Sequence, residues 1–290
     1  MRPQGRPSTS DDNLADRVSA ASGRAIRWEQ CGALAHIILD RPGKLNAINK
    51  DVLAGIRAAV DVAEAEGSVR ALIVRGEGRA FSAGGDLDEV ASLVTRPDEF
   101  NRFLDEWHET LFRIYDSPVP SVAAVHGFAF AGGFELTQVC DVVVIGDTTR
   151  IADQHANFGL FPAGGSTQRV PRLAGPRLAS WLLLSGEPIS PERAVSAGLA
   201  TEVVKEVDVL TRATAMAETL AVRSPAATAA IKRAMRSGQG LNIRDAIAAE
   251  RDGAVRHMAS GDVQIGLEAF RRRLKPDFPD SPSPISSSET

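Results

Sequence analysis

Short apolar segments alternate with stretches of helical periodicity through the first half of this 290-residue chain. Between two of these segments, residues 50–65 carry apolar side chains at the spacing of one helix face. Because parallel strands need a long crossover between them, usually a helix, this alternation predicts an α/β domain with a largely parallel sheet. The segments that we interpret as strands are 33–40, 70–76, 121–127 and 141–147.

Helical patterns dominate the last third of the sequence, where a single segment, 199–204, is typical of a strand. We therefore predict an α/β core over 24–200 and a helical region over 201–276. Both ends of the chain are polar and rich in small residues, which predicts a disordered leader at 1–23 and a disordered tail at 277–290. The helical patterns cover 176–185, 190–196, 207–221, 225–236, 241–258 and 262–274.

Composition limits the partners and the location of the chain. A formal charge of −4 argues against nucleic acid as a bulk partner, because phosphate binding needs a basic surface. No stretch of about 18 apolar residues occurs, so no membrane span is expected. The two cysteines, Cys31 and Cys140, lie far apart and fit neither a CxxC motif nor a zinc site. We expect a cytoplasmic protein without a bound metal.

Two glycine-rich loops, 78–90 and 126–136, each follow a predicted strand. Ligands of an open α/β sheet bind beyond the carboxyl ends of its strands, and glycine lets a backbone N–H approach a ligand closely. Side by side, the two loops could present one N–H each to a single oxygen. That arrangement is an oxyanion hole, which stabilises negative charge developing on a carbonyl.

An acidic residue, Glu135, follows Gly132 and Gly133 inside the apolar run 127–141. An ionised carboxylate in apolar surroundings is costly unless it is paired or hydrogen-bonded. If a helix begins near Gly132, Glu135 lies in its first turn, and its side chain tilts back toward the mouth of the loop. We interpret Glu135 as a reactive group; the alternative is a first-turn acid that only stabilises the helix.

Six sequence blocks stand out along the chain: "RPGKLNAIN" (41–49), "AFSAGGDL" (80–87), "AAVHGFAFAGGFELTQVCD" (123–141), "FGLFPAGGSTQRVPRLAG" (158–175), "LSGEPISPERAVSAGLATEVV" (184–204) and "GDVQIGLEAFRRRLKPDF" (261–278). In this order they make the chain resemble the crotonase superfamily, the enoyl-CoA hydratase/isomerase family. The resemblance extends over about residues 33–278. It implies an α/β fold, the crotonase (ClpP/crotonase-like) spiral of ββα units, whose C-terminal helices form a trimerisation region. The expected assembly is a homotrimer or a dimer of trimers.

The resemblance implies an acyl-CoA enzyme, a hydratase or isomerase, with CoA as part of the substrate and no other cofactor. The N–H groups of Gly85 and Gly132 would hold the thioester carbonyl, although tight turns alone also favour glycine. Glu135 would be the acid/base. For Arg41 and Lys44 the alternative to phosphate binding is a solvated charge pair, and Phe270 and Lys275 would reach CoA on a neighbouring subunit. Implied substrate or CoA contacts are Arg41, Lys44, Ala83, Asp86, Leu87, Phe270 and Lys275.

His155 stands where hydratases of this family carry a second glutamate. It could be a substitute acid/base, since its ordinary pKa suits proton transfer at neutral pH. It could instead be structural, or mark another reaction. If the segment is extended, Asp153 shares a face with His155 and would orient it. Ala163 stands where some dienoyl-CoA isomerases carry an extra acid, which disfavours that activity.

Three functions therefore stay open. The first is the hydratase or isomerase. The second is a C–C hydrolase or decarboxylase that uses His155, and the third is a CoA-binding protein with little turnover. His126, at the end of a predicted strand, is interpreted as structural support, and Phe134, Phe158 and Phe161 as candidate pocket residues.

Overall fold

The computed structural model describes residues 9–280, and its central feature is a six-stranded sheet. A separate pair of short strands, each three residues long, lies beside it. The strands are β1 (Ile26–Cys31), β2 (Leu34–Leu39), β3 (Ala71–Gly76), β4 (Ser121–Val125), β5 (Phe128–Phe130), β6 (Val142–Gly146), β7 (Arg150–Ala152) and β8 (Glu202–Val204).

The strand order is β1-β2-β3-β4-β6-β8, and every pairing except that of β1 with β2 is parallel. The prediction of a largely parallel α/β sheet is confirmed. The middle strands are buried on both faces, as a parallel sheet covered by helices requires, and this is why they read as continuous apolar runs. The short strands β5 and β7 pair in parallel with each other.

Helices cover the sheet on both sides and make up most of the chain between residues 209 and 272. One face packs against α2 and α4, the other against α9. No helix within residues 9–280 combines the length and apolar character needed to cross a bilayer. The helices are α1 (Thr9–Ser22), α2 (Lys50–Glu66), α3 (Leu87–Leu93), α4 (Pro97–Asp116), α5 (Gly132–Thr137), α6 (Ser166–Ala174), α7 (Pro176–Ser185), α8 (Pro191–Ser196), α9 (Val209–Ala221), α10 (Pro225–Ser237), α11 (Ile243–His257) and α12 (Gly261–Arg272).

The prediction of a disordered leader is wrong for residues 9–22, which form α1. Leu14 and Val18, one helical turn apart, are buried in the core, where α1 packs against α2. Tertiary packing of these two side chains outweighs the polar composition that predicted disorder. Residues 1–8 of the predicted leader lie outside the described residues.

The predicted boundary at residue 200 is also wrong. Strand β8 pairs with β6, so the sheet continues to Val204, and α9 then packs on the sheet face. The tail prediction is tested only over 277–280, which has no helix or strand but contacts the core: Arg70 donates hydrogen bonds to Phe278 O (2.6 Å) and to Asp280 Oδ1 (3.4 Å). Residues 281–290 lie outside the described residues.

Three chain segments converge beyond the carboxyl ends of β3 and β4. Ser82 bridges to Ala129, and Ile48 bridges to Gly85, each as an isolated parallel pair. These two bridges bring the loop after β2, the loop after β3 and strand β5, which leads into α5, to one place. The sheet topology thereby creates the site described next.

Burial of α1 predicts a stability difference between two neighbouring substitutions. Val18→Ala should lower the free energy of unfolding by about 2 kcal/mol, because it removes buried methyl groups and leaves a cavity. Arg17→Ala, on the exposed side of the same helix, should change it by no more than about 0.5 kcal/mol. Urea unfolding measures both; equal effects would mean that α1 does not pack on the core.

Candidate active site

A cavity of about 800 Å³ opens where the glycine-rich loops meet α4. Its wall includes both predicted reactive side chains, Glu135 and His155, together with Gly85. Most of the remaining wall is apolar, which suits an acyl chain better than a charged ligand. The apolar side chains include Val90, Phe100, Phe103, Leu104, Phe158 and Phe161.

The two glycines predicted to bind a carbonyl oxygen lie next to each other. A methyl group on Gly132 would stand 3.3 Å from the backbone nitrogen of Gly85. Among the hydrogen bonds of residues 9–280, neither the Gly85 N–H nor the Gly132 N–H has a partner. Gly85 lines the cavity, whereas Gly132 lies directly behind it. Two adjacent N–H groups can donate to one oxygen.

The turn that precedes α5 places Gly132 at the start of that helix. Ala131 adopts φ 46° and ψ −118°, a conformation that costs energy for a residue other than glycine. Its N–H donates to Ala152 O (3.0 Å) and its carbonyl accepts from the Glu135 N–H (2.9 Å). Helix α5 therefore starts at Gly132, and Glu135 lies in its first turn, as predicted.

The Glu135 side chain is almost completely buried, with 1% of its surface exposed. Its Oε1 accepts a hydrogen bond from the Ser166 N–H at 3.4 Å. Burial raises the pKa of Glu135; the His155 charge lowers it and the Asp153 charge raises it, and the net shift is upward. A carboxylate with a raised pKa beside a cavity is a stronger base than an ordinary carboxylate and is therefore a candidate for proton transfer.

Asp153 and His155 form the expected pair, but not by the expected geometry. The segment is not extended: β7 ends at Ala152, and His155 begins a 3₁₀ turn that runs to Phe158. Asp153 Oδ1 instead folds back, 2.7 Å from His155 Nδ1, and also accepts from the His155 N–H at 3.4 Å. The prediction of a shared strand face is therefore wrong, although the contact that it implied is present.

The same contact sets the charge of the imidazole. Burial lowers the pKa of His155, but the hydrogen bond and charge of fully buried Asp153, with a further contribution from Glu135, outweigh it and raise the pKa above its ordinary value. A neighbouring carboxylate favours the protonated imidazole. The cavity thus holds a buried carboxylic group and a histidine that retains its proton to higher pH.

Four of the seven residues predicted to contact substrate or CoA line the cavity, and three do not. Ala83, Asp86 and Leu87 line the cavity, and so does Lys44, whose ammonium pairs with Asp88 (2.9 Å) at the exposed mouth. Phe270 and Lys275 do not line the cavity of their own chain, and Phe270 is 81% exposed.

Arg41 does not line the cavity, and of the two alternatives the structure shows the charge pair, with Asp86; phosphate binding by Arg41 stays a prediction. Its guanidinium donates to Asp86 Oδ2 (2.8 Å) and to Ala47 O (2.6 Å). Burial alone would raise the pKa of Asp86, but Arg41 holds it below its ordinary value. Arg41 therefore stabilises the loop that carries Gly85. The contact could not be recognised in the sequence, because Arg41 and Asp86 are 45 residues apart.

Several cavity residues have no motif that would reveal them in the sequence. Trp107, on α4, and Gly164 both border Glu135, yet Trp107 reads as an ordinary core residue of an amphipathic helix. Of the three phenylalanines, Phe158 and Phe161 line the cavity, whereas Phe134 is buried in the core and does not.

Two other predictions concern the role of His126 and the presence of a metal site. His126 Nε2 lies 2.9 Å from Gly78 O, so it contacts the first glycine-rich loop in the structural role predicted. No group of three or more His, Cys, Asp and Glu side chains within the described residues is arranged to hold a metal ion.

Comparison with known proteins gives one consistent result. The family model described as enoyl-CoA hydratase/isomerase matches residues 29–281. A probable mitochondrial enoyl-CoA hydratase of Dictyostelium discoideum is 33% identical over 86% of this chain and 89% of its own. The 2,3-dehydroadipyl-CoA hydratase of Escherichia coli is 33% identical over 83% of this chain and 93% of its own. The crystal structure of an enoyl-CoA hydratase from Polaromonas sp. JS666 superposes with a TM-score of 0.85 at 30% identity, covering 88% of this chain and 99% of that one.

The Asp153–His155 contact predicts a pH-dependent effect. Asp153→Asn should lower the pKa of His155, because it removes the carboxylate that favours the imidazolium. Since the pKa in the folded state is raised, the stabilising contribution is complete below the ordinary value of about 6.5 and is lost as pH rises through the folded-state pKa. The variant should therefore lose more stability in acid than in base.

Nuclear magnetic resonance titration of the His155 ring proton measures this pKa, with His155→Gln to identify the signal. An unchanged inflection in Asp153→Asn would contradict the electrostatic account of the pair.

Proposed function

The chain belongs to the enoyl-CoA hydratase/isomerase family and is an acyl-CoA enzyme of crotonase fold; from that premise we propose that it adds water reversibly to the double bond of a trans-2-enoyl-CoA. The observation that carries the proposal is an apolar cavity lined by buried Glu135, His155 and Gly85. Asp153 contacts His155 from outside the cavity lining, and Gly132 lies beside Gly85. These are the groups that hydration of a conjugated thioester needs.

The glycines would polarise the substrate. In the proposed complex the thioester oxygen accepts hydrogen bonds from the N–H groups of Gly85 and Gly132. Addition of an oxygen nucleophile at the β-carbon moves electrons onto that oxygen, forming an enolate-like anion. Donors already fixed in place and shielded from water stabilise this anion without reorganising, which lowers the barrier.

Glu135 and His155 would divide the two proton transfers. Ionised Glu135 takes a proton from the water whose oxygen bonds to the β-carbon. Protonated His155 supplies a proton to the α-carbon, which returns the electrons from the enolate to a C–H bond. The raised pKa of each group supports its role: the first becomes a stronger base, and the second keeps its proton to a higher pH than an ordinary histidine.

Three further features belong to the proposal. CoA would enter only as part of the substrate, with no metal or other cofactor. We propose a homotrimer or a dimer of trimers, supported by exposed apolar side chains on α10–α12, where Phe270 and Lys275 would meet the CoA of a neighbouring subunit. A cytoplasmic location is supported by two cysteines that are both free thiols. The exposed apolar side chains are Ile231, Met235, Ile243, Ile247, Val255, Met258, Leu267 and Phe270.

One observation favours a second candidate. A hydrogen-bonded Asp–His pair is also the base of many hydrolases, so the Asp153–His155 contact fits cleavage of a carbon–carbon bond in a β-diketone by water. Incubation with a β-diketone separates the two candidates: hydrolysis releases an acid, whereas a hydratase leaves the diketone unchanged. Tight CoA binding with neither reaction would indicate a binding protein.

Loss of the proposed base should abolish most turnover. Glu135→Gln keeps the size of the side chain but cannot take up a proton, so kcat for hydration should fall about 10²- to 10⁴-fold. The measurement is the loss of ultraviolet absorbance of the conjugated thioester over a series of acyl chain lengths. His155→Gln should give a loss of similar order. A full rate in Glu135→Gln would remove Glu135 from the reaction, and a full rate in His155→Gln would leave His155 structural.

The oxyanion glycine predicts a steric test. In Gly132→Ala the added methyl group would overlap the benzene ring of Trp107, so the turn must shift and misplace its N–H donor. We expect kcat to fall about 10²- to 10³-fold. Gly266→Ala is the matched control, because a methyl group there meets no atom within 4 Å. Equal kcat values for the two variants would argue against a donor at residue 132.

A further inference from the structure

The indole of Trp107 is held rigidly in the cavity wall. Only 5% of its surface is exposed, and the ring meets Phe103 edge-on, with ring centres 5.7 Å apart and an interplanar angle of 64°. Its Nε1 is buried, yet has no hydrogen-bond partner within residues 9–280. Buried indole N–H groups usually have a partner, because leaving one unpaired costs free energy.

One end of this indole borders the glycines proposed to bind the thioester oxygen, and the other end borders the carboxylate proposed to transfer a proton. A methyl group on Gly132 would overlap Cζ2 of the ring, and one on Gly85 would lie 3.9 Å from Cη2, so the benzene edge lies against the oxyanion glycines. At the other end, a methyl group on Gly164 would overlap both Trp107 Nε1 and Glu135 Oε2. The unpaired N–H and the carboxylate oxygen thus border the same point.

This oxygen is not the one that accepts from Ser166, which is Oε1. We propose that the Trp107 indole N–H donates a hydrogen bond to Glu135 Oε2 in the working enzyme, so that Trp107 is a positioning residue for the proton transfer. The inference rests on the proposed function for its catalytic consequence, but the hydrogen bond itself can be tested without turnover.

Other titratable groups lie near Glu135 and Trp107, so a test of the indole hydrogen bond must leave them in place. His155 and Asp153 follow β7, Arg169 lies on α6 and interacts with Glu135 electrostatically, and His108 lies on α4 next to Trp107, where its Nε2 is 2.6 Å from the carbonyl oxygen of residue 163. All four remain when only the indole N–H is removed. A donor to the ionised form favours ionisation, so its loss must raise the pKa of Glu135.

The first experiment follows the indole N–H signals of the isotopically labelled protein as pH is varied. The chain has three tryptophans, so three signals are expected, and Trp107→Phe identifies the relevant one. We expect the Trp107 signal to shift as Glu135 titrates, and this shift to be absent in Glu135→Gln. His155→Gln, in which the shift should persist, separates Glu135 from the histidine.

The buried indole of Trp28 provides a matched control. It is also 5% exposed, and its Nε1 likewise has no partner among the described residues, but it lies in β1 and does not line the cavity. Its signal should not respond to Glu135. A Trp107 signal that titrates equally in Glu135→Gln, or one that does not move at all, overturns the proposed hydrogen bond.

The second experiment compares Trp107→Phe with Trp28→Phe, which both keep an aromatic ring but lose the N–H. In Trp107→Phe the acid limb of the kcat/KM profile should move to higher pH, and kcat should fall about three- to tenfold with little change in KM. Trp28→Phe should keep the original profile and rate.

Coincident profiles for the two variants would overturn the role of Trp107. If no enoyl-CoA is hydrated by the unmodified protein, the proposed function fails. The titration of the indole signal would still stand or fall by itself.

Discussion

Close packing around Glu135 is the constraint on which the site depends. A carboxylate can stay buried there because several chain segments approach it more closely than any side chain would allow. Gly132 leaves room for the indole of Trp107, and Gly164 leaves room for the same indole and for Glu135. Gly133 lies against Ser82, which brings the second glycine-rich loop onto the first. Glycine at these positions brings the N–H groups of Gly85 and Gly132, the Glu135 carboxylate and the cavity wall together in one packed unit.

The central sheet could be predicted because its strands are buried on both faces, which makes each one a continuous apolar run. Strands β5 and β7 could not, since three residues carry no periodicity and their pairing depends on distant segments. Helix α1 was missed for a different reason. Its polar composition is that of a disordered segment, and the contribution of Leu14 and Val18 becomes visible only when α2 is in place.

The parts of the site that lie within short sequence motifs could be predicted. Gly85, Gly132 and Glu135 lie within short characteristic stretches, so their meeting could be anticipated before the fold was known. Trp107 could not be found this way, because an apolar helix face requires the same residue for packing alone. The pairing of Arg41 could not be assigned from the sequence, since a charged residue in a loop suggests a ligand contact until its buried partner, Asp86, is located.

The rim of the cavity has a consequence for the energetics of substrate capture. Phe158 and Phe161 line the cavity but are 64% and 72% exposed, so two aromatic rings stand in water at the entrance. A ligand that covers them removes apolar surface from solvent and lowers the heat capacity of the system. Association would then grow more exothermic as temperature rises, and a calorimeter would register the closure of this rim whichever acyl group is bound.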